Sequence, residues 1–137
     1  MQYWLVKTEP GCWSWTMQEN AKTTNWDGVR NYQASNNLKA MKNGDLAFFY
    51  HSVSEKSVVG VVRVVGEYEP DPTDSTGRFG MVRMEAVLPF KKPVTLETIK
   101  GDPRLQDLAL IKQSRLSVMP ISTAAWEVIA SLGETKI

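Results

Sequence analysis

Cysteine and histidine are nearly absent from this 137-residue chain, which has one of each, Cys12 and His51. A single cysteine cannot form an internal disulfide, and one cysteine with one histidine cannot supply the ligands of a usual zinc site. Glycine-rich phosphate loops and dinucleotide fingerprints are also missing. We therefore expect no metal, no cofactor and a reducing, cytoplasmic setting.

An excess of charge of one sign is missing as well. Lysine and arginine total 16 against 15 acidic residues, for a net charge of +1. Such a chain has no general attraction for phosphate backbones, so any contact with nucleic acid must be local. The longest apolar run, residues 58–65, is interrupted by Arg63, and no basic leader precedes the first strand-like segment. We expect no membrane span and no export signal.

What the chain does contain is enough apolar material for one core. With 42% hydrophobic residues, it has the size and composition of a single domain spanning 1–137. Alternating and β-branched runs predict strands, whereas capping residues and three- and four-residue spacings predict short helices. The predicted strands are 1–7, 46–51, 58–65, 81–88 and 116–118, and the predicted helices are 15–20, 31–41, 96–100 and a last one after Ser122.

These elements do not alternate as strand–helix–strand units, so their order favours a small α+β barrel. Segments 58–65 and 81–88 are expected to pair as a hairpin, with Gly60 at a bulge or bend. The polar segments 21–25 and 70–80 are expected to be loops. The predicted fold class is α+β.

Polar and aromatic side chains are concentrated at the ends of the predicted strands, where a cleft would open. They lie in segments 7–10, 26–31, 50–52 and 113–117. Two hydroxyls and a guanidinium in the last segment adjoin a hydrophobic stretch. Together these segments would suit a planar polar ligand.

Segment 26–31 offers three kinds of contact, each with a structural alternative. Trp26 could stack on a base, an interaction worth roughly 1–3 kcal/mol, although any one of five tryptophans is more often a core residue. Asp27 and Gly28 predict a turn, in which Gly28 would adopt a positive φ or let a ligand approach the backbone. The Asn31 carboxamide could read a base edge or cap the following helix, and the two readings weigh equally.

Three cations could contact phosphate. Arg30 and Arg115 have forked donors suited to it, but for each one singly a surface pair with an acid is favoured. Lys7 shares a strand face with Tyr3 and Leu5, so its ammonium should emerge at a pocket rim.

His51 is the obvious candidate for acid–base catalysis, and Ser52 adjoins it. Neighbouring side chains on a strand point to opposite faces, and no Gly-x-Ser-x-Gly elbow is present, so a histidine that only hydrogen-bonds is favoured. Nothing beside Cys12 would activate its thiol. We expect a binding module; the alternatives are a nucleotide- or RNA-processing hydrolase with His51 as base and Arg115 stabilising charge, or an adaptor for a small metabolite or peptide.

Five longer stretches occur in the order of a known family. They read YWLVKTEP at 3–10, WDGVRNYQA at 26–34, GDLAFFYHS at 44–52, YEPDPT at 68–73 and SRLSV at 114–118. On these stretches, which span nearly the whole chain, the sequence resembles the EVE domain family.

The resemblance implies a PUA-like fold, a curved mixed sheet or pseudo-barrel with short flanking helices, related to the YTH domains that read methylated adenine in RNA. It also implies binding of a modified nucleobase, notably a modified cytosine in DNA, or a modified base in RNA. Carried over motif by motif, it places the ligand-binding residues at Lys7, Trp26, Gly28, Val29, Arg30, Asn31, Tyr50, His51, Ser52, Ser114, Arg115 and Leu116.

One departure from the family's pattern concerns Ser35, where the family usually has arginine. A cation that could meet a phosphate or an acid is thereby lost, so we expect weaker affinity for the nucleic-acid backbone. Loop 70–80 is short compared with that of longer family members. Contacts that an extended loop would make with flanking nucleotides are therefore expected to be missing. A free nucleoside is therefore an alternative ligand to an extruded base.

The resulting hypothesis assigns each motif one contact with the ligand. Trp26 stacks on the base, Asn31 and Ser114 read its edge, His51 hydrogen-bonds a substituent, and Lys7 or Arg115 contacts phosphate. Truncation of Trp26 to alanine should then abolish most binding without unfolding the protein. The expected partner is nucleic acid or a free nucleoside, with no membrane partner, and the expected oligomeric state is a monomer.

Overall fold

The computed structural model describes residues 1–137, which form six strands and five short helices. The strands are β1 (Tyr3–Thr8), β2 (Thr23–Trp26), β3 (Leu46–His51), β4 (Ser57–Pro70), β5 (Gly80–Thr95) and β6 (Val118–Ile121). The helices are α1 (Trp15–Ala21), α2 (Tyr32–Ala40), α3 (Leu96–Gly101), α4 (Ala109–Lys112) and α5 (Thr123–Leu132), and a 3-10 turn covers Pro103–Leu105.

All six strands form one mixed sheet, in the order β2-β5-β4-β3-β1-β6. Strands β1 and β3 pair in parallel, and every other neighbouring pair is antiparallel. The long β4–β5 hairpin shifts register four times, which bends and twists the sheet. The predicted hairpin and the predicted α+β class are both confirmed.

Two sequence predictions about the sheet edges are wrong. Segment 21–25, expected to be a loop, contains most of β2, which pairs with β5. The closing strand expected at 116–118 lies at Val118–Ile121, antiparallel to β1. Both are edge strands of only four residues, too short to show a clear alternation of apolar and polar side chains. Their pairing partners are distant in the chain, so no local pattern predicts them.

Four of the five helices begin where a short polar side chain caps them. Ser14, Asn31, Thr95 and Ser122 each accept a hydrogen bond from the backbone N–H three residues later. No helix combines the length and the apolar composition that crossing a bilayer requires.

The core lies on both faces of β3. On one face Phe48 stacks on Trp126 of α5, with 3.8 Å between ring centroids. On the other face Phe49 meets Trp15 and Trp26 edge-on, at 5.1 and 5.7 Å. Helix α1 and the end of strand β2 therefore pack against the Phe49 face, on the side where the cleft described below opens.

Gly60 on β4 allows α1 to approach the sheet. A Cβ added at Gly60 would lie 2.6 Å from the Trp15 ring, a distance that side chains do not tolerate. The register of the β4–β5 ladder shifts beside Gly60, as the sequence predicted. The glycine thus fixes the position of α1 and of the loop that precedes it.

Candidate functional site

The largest cavity is an open cleft of about 780 Å³ at the ends of β1 and β2. Its lining comes from four parts of the chain and is rich in polar side chains. The lining residues are Lys7, Thr8, Cys12, Trp13, Thr24, Asn25, Trp26, Asp27, Gly28, Val29, Arg30, Asn31 and Ser117. We call residues 26–31 the turn wall and residues 8–13 the loop wall.

The turn wall begins at Trp26, the last residue of β2. Its side chain lies against Phe49, and the residue is only 7% exposed. The next apolar residue of this wall, Val29, is also buried. Trp26 therefore borders the cleft as part of the core and has little free ring surface.

Asp71, at the start of the loop after β4, fixes the turn wall. Its carboxylate is buried and accepts hydrogen bonds from the Gly28 N–H at 2.8 Å and the Arg30 guanidinium at 3.0 Å. Thr73 donates to it from both its backbone and its hydroxyl. Burial alone would raise the pKa of Asp71, but these hydrogen bonds hold the pKa well below its usual range.

This network bears on two of the sequence predictions about the turn wall. Gly28 adopts a φ of +77°, as the turn required, and nothing lies within 4 Å of an added Cβ, so its position faces open space. Arg30 forms the pair with an acid that was the favoured alternative, also donates to Thr73, and lies over the Phe79 ring. Loop 70–80 thus supports the cleft from behind.

Asn31 ends the turn wall and caps α2. Its Oδ1 accepts from the Ala34 N–H at 2.9 Å, whereas its Nδ2 forms no hydrogen bond within the protein. The residue is exposed and lines the cleft. The two readings of Asn31 are compatible, because one end of the carboxamide caps the helix and the other is free to donate to a ligand.

Trp13 is the largest side chain of the loop wall. The sequence analysis did not predict it as a site residue. Its indole N–H donates to Gln18 at 2.8 Å, and its backbone carbonyl accepts from the Thr8 hydroxyl at 2.9 Å. Gln18 is fully buried and in turn donates to backbone carbonyls of Lys22 and Met84. Side-chain hydrogen bonds of this kind leave no periodic pattern in the sequence, so the only local signal was a tryptophan just before the Ser14 cap.

Lys7 joins the cleft to a smaller neighbouring cavity. Its Nζ donates to the Ser114 carbonyl at 2.9 Å and lies 5.8 Å from the centre of the Tyr50 ring. Burial lowers the pKa of Lys7 from its ordinary value and raises the pKa of Tyr50 to about 12. Lys7 thus lies at the rim of the cleft, where its strand parity predicted it.

Most of the SRLS motif lies beside the main cleft, and only its last residue, Ser117, is on the cleft lining. Ser114, Arg115 and Leu116 line a second cavity of about 310 Å³, which shares Asn31 with the main cleft. These three residues belong to the connection between α4, which ends at Lys112, and β6, which begins at Val118.

Three residues that were predicted to contact the ligand do not line the cleft: Tyr50, His51 and Ser52. His51 is buried, and its Nε2 accepts from the Trp15 backbone N–H at 3.0 Å. Its Nδ1 lies 3.1 Å from a Glu55 carboxylate oxygen. Both ring nitrogens are therefore occupied in fixing α1 and the turn after β3.

Ser35 also lies away from the cleft. It is buried on α2, where its hydroxyl lies 3.2 Å from the Tyr68 hydroxyl of β4. The expectation that this serine weakens a backbone contact finds no support in its position. No group of three or more histidine, cysteine, aspartate or glutamate side chains lies close enough to hold a metal ion.

A mixed six-stranded sheet with short helices and one large polar cleft defines a PUA-like α+β domain. An ASCH protein of Zymomonas mobilis has the same fold, with a TM-score of 0.60 at 11% identity over 96% of this chain and 95% of that one. The model of the EVE domain matches residues 2–132, and the chain belongs to this family, as its motifs predicted.

Relatives align over nearly the whole chain. Thymocyte nuclear protein 1 of Gallus gallus is 35% identical over 170 aligned positions, which cover 98% of this chain and 69% of that protein. A crystal structure from Agrobacterium tumefaciens has a TM-score of 0.95 at 40% identity and covers 98% of this chain and 94% of its own. Human THYN1, solved in complex with DNA containing 5-methylcytosine, has a TM-score of 0.85 at 31% identity over the full length of both chains.

Proposed function

We propose that the main cleft binds one nucleobase presented by a nucleic acid strand, in particular a modified cytosine, and that the chain is a binding module without a catalytic step. The observation that carries the proposal is the turn wall, which presents a free amide donor at Asn31 beside an exposed backbone at Gly28. The human relative's complex with 5-methylcytosine DNA supports the same ligand class.

The chemistry of the lining suits a base edge. Thr24, Asn25 and Ser117 add two hydroxyls and an amide to the Asn31 donor. Such groups can both donate and accept, as the edge of a cytosine requires. Lys7 at the rim supplies a local cation for a phosphate, although the net charge of the whole chain is only +1.

A methyl mark by itself is a weak signal. Burying one such group is worth about 0.8 kcal/mol, or roughly fourfold in affinity. Most of the affinity must therefore come from contacts shared by modified and unmodified bases, and we expect a modest preference for the methylated base. Extrusion of a base from duplex DNA costs a few kcal/mol, so single strands should bind more tightly than duplexes.

The non-catalytic reading is supported by the position of His51. A general base must lie within hydrogen-bond reach of the proton that it removes. His51 is buried, and its ring nitrogens contact Trp15 and Glu55. The competing hydrolase reading would gain support if His51→Ala abolished turnover in a screen of nucleotide substrates while ligand affinity survived.

The test is a fluorescence anisotropy titration with short single-stranded oligonucleotides that carry cytosine or 5-methylcytosine at one central position, and with their duplexes. Asn31→Ser should weaken binding by about 3- to 10-fold, because serine can still cap α2 but lacks the amide donor. The matched control is Asn36→Ser, an exposed position of the same helix outside the cleft. Equal effects of the two substitutions, or equally weak affinity for all oligonucleotides, would contradict the proposal.

A further inference from the structure

The five tryptophans differ in exposure, and one of them stands apart. Four are buried, with exposed fractions of 4% for Trp4 and Trp126 and 7% for Trp15 and Trp26. Trp13 is only partly buried, and it lies on the lining of the main cleft. Among the tryptophans, it is therefore Trp13 that has ring surface available to a ligand.

The ring surfaces of the other tryptophans are used in packing. Trp126 lies between Phe48 and Tyr3, with centroids at 3.8 and 4.4 Å. Trp15 and Trp26 both meet Phe49 edge-on. Trp13 forms no aromatic pair within the protein.

The orientation of the Trp13 ring is fixed from inside the protein. Its indole N–H is bonded to the buried Gln18 side chain, its backbone N–H to the Glu9 carbonyl, and its carbonyl to the Thr8 hydroxyl. A tryptophan whose polar atom is already satisfied contacts a ligand through its apolar face alone. A ring held in place before binding also loses little conformational freedom when the ligand arrives.

We propose that Trp13, and not Trp26, provides the aromatic face on which the bound base stacks. The proposal rests on the proposed function, since it names the stacking residue of that same cleft. Stacking on Trp13 is tolerant of base identity because every base has a π-face. Trp13 thus sets affinity, while the hydrogen-bonding groups of the turn wall select the base.

A matched pair of substitutions separates stacking from structural support. Both Trp13→Phe and Trp13→Leu remove the N–H that bonds Gln18, but only phenylalanine keeps an aromatic face. We expect Trp13→Leu to weaken binding of a single-stranded 5-methylcytosine oligonucleotide by roughly 5- to 150-fold. Trp13→Phe should remain within about fivefold of wild type. Thermal melts of both variants check that they are equally folded.

A second oligonucleotide of the same length, abasic at every position, makes the test specific, because stacking on Trp13 would tolerate any remaining base. If Trp13 stacks on the base, Trp13→Leu weakens binding of the base-containing strand and leaves binding of the abasic strand unchanged. A merely structural Trp13 would weaken binding of both strands alike, which would overturn the proposal. Equal affinities of Trp13→Phe and Trp13→Leu would overturn it as well.

Acrylamide quenching of wild-type tryptophan fluorescence gives an independent readout that needs no substitution at Trp13. Because the other four tryptophans are buried, quenching reports mainly on Trp13. Saturation with the 5-methylcytosine oligonucleotide should protect this fluorescence, and the abasic strand should not. Unchanged quenching in a saturated complex would overturn the assignment of Trp13 alone, whereas failure of wild type to bind any oligonucleotide would overturn the proposed function with it.

Discussion

The two walls of the cleft are built in opposite ways. The turn wall packs its tryptophan, Trp26, into the core and leaves the Asn31 amide at the cleft. The loop wall directs the polar atom of its tryptophan, Trp13, inward to Gln18 and leaves ring surface at the cleft. Hydrogen bonding and stacking are therefore supplied by separate segments, each held in place by its own buried polar residue.

The supports of the two walls differ in charge. Asp71 is an ionised group that collects four hydrogen-bond donors around the turn wall. Gln18 is a neutral amide that bridges the loop wall to Lys22 and Met84. The turn wall should therefore respond to pH, whereas the Gln18 contacts involve no titrating side chain.

The largest expected difference between the walls is in stability. Trp26→Ala should lower the free energy of unfolding by about 3–5 kcal/mol, because it leaves a cavity beside Phe49. Trp13→Ala should cost clearly less, since part of that ring is already in solvent. Urea denaturation measures both, and equal losses would break the comparison. The structure thus corrects the expectation that Trp26 could be truncated without destabilising the protein.

A smaller effect is expected at the support of the turn wall. Asp71→Asn should lower the free energy of unfolding at pH 7 by about 1–3 kcal/mol, because the amide replaces an acceptor oxygen with a donor in a ring of donors. Asp107→Asn, at a fully exposed aspartate, is the matched control. Urea melts of the two variants measure the difference, and a loss at Asp107 equal to that at Asp71 would contradict the network.

The same substitution has a predictable pH dependence. The pKa of Asp71 in the folded protein lies below its unfolded value, which is near 3.9. The stabilisation is therefore complete above that unfolded value and is lost as the pH falls below it toward the folded pKa. The stability gap between wild type and Asp71→Asn should be constant from pH 5 to 7 and shrink below about pH 4; a constant gap at every pH would contradict this.

Local chemistry explains which parts of the fold could be predicted from the sequence. The caps Ser14, Asn31, Thr95 and Ser122 act on a backbone N–H three residues away, so their helices were predicted closely. Strand β2 depends on pairing with β5, some 60 residues further along the chain, and was missed. A strand of four residues that is held by a distant partner shows no periodic pattern of apolar side chains from which it could be predicted.

The site was predictable to the extent that its motifs are contiguous. The turn wall came from one run of sequence, in which Gly28 adopts the positive φ expected of a turn and Asn31 caps α2. Trp13 was missed because its orientation depends on Gln18, a buried residue of the following helix. Strand parity alone does not show that Trp15 occupies a ring nitrogen of His51, so the position of His51 off the cleft lining was not predicted. A cytoplasmic location and a monomeric state stay predictions.

The most direct test of the account is to locate the base on the protein. A ¹⁵N NMR titration with a single-stranded 5-methylcytosine oligonucleotide should shift the backbone signals of Gly28 and Asn31 and the indole signal of Trp13 most. The cavities at residues 54–56 with 95–100 and at 126–137 serve as internal controls, since they lie outside the main cleft. Largest shifts at either of those cavities, with the two walls unchanged, would contradict the assignment of the cleft.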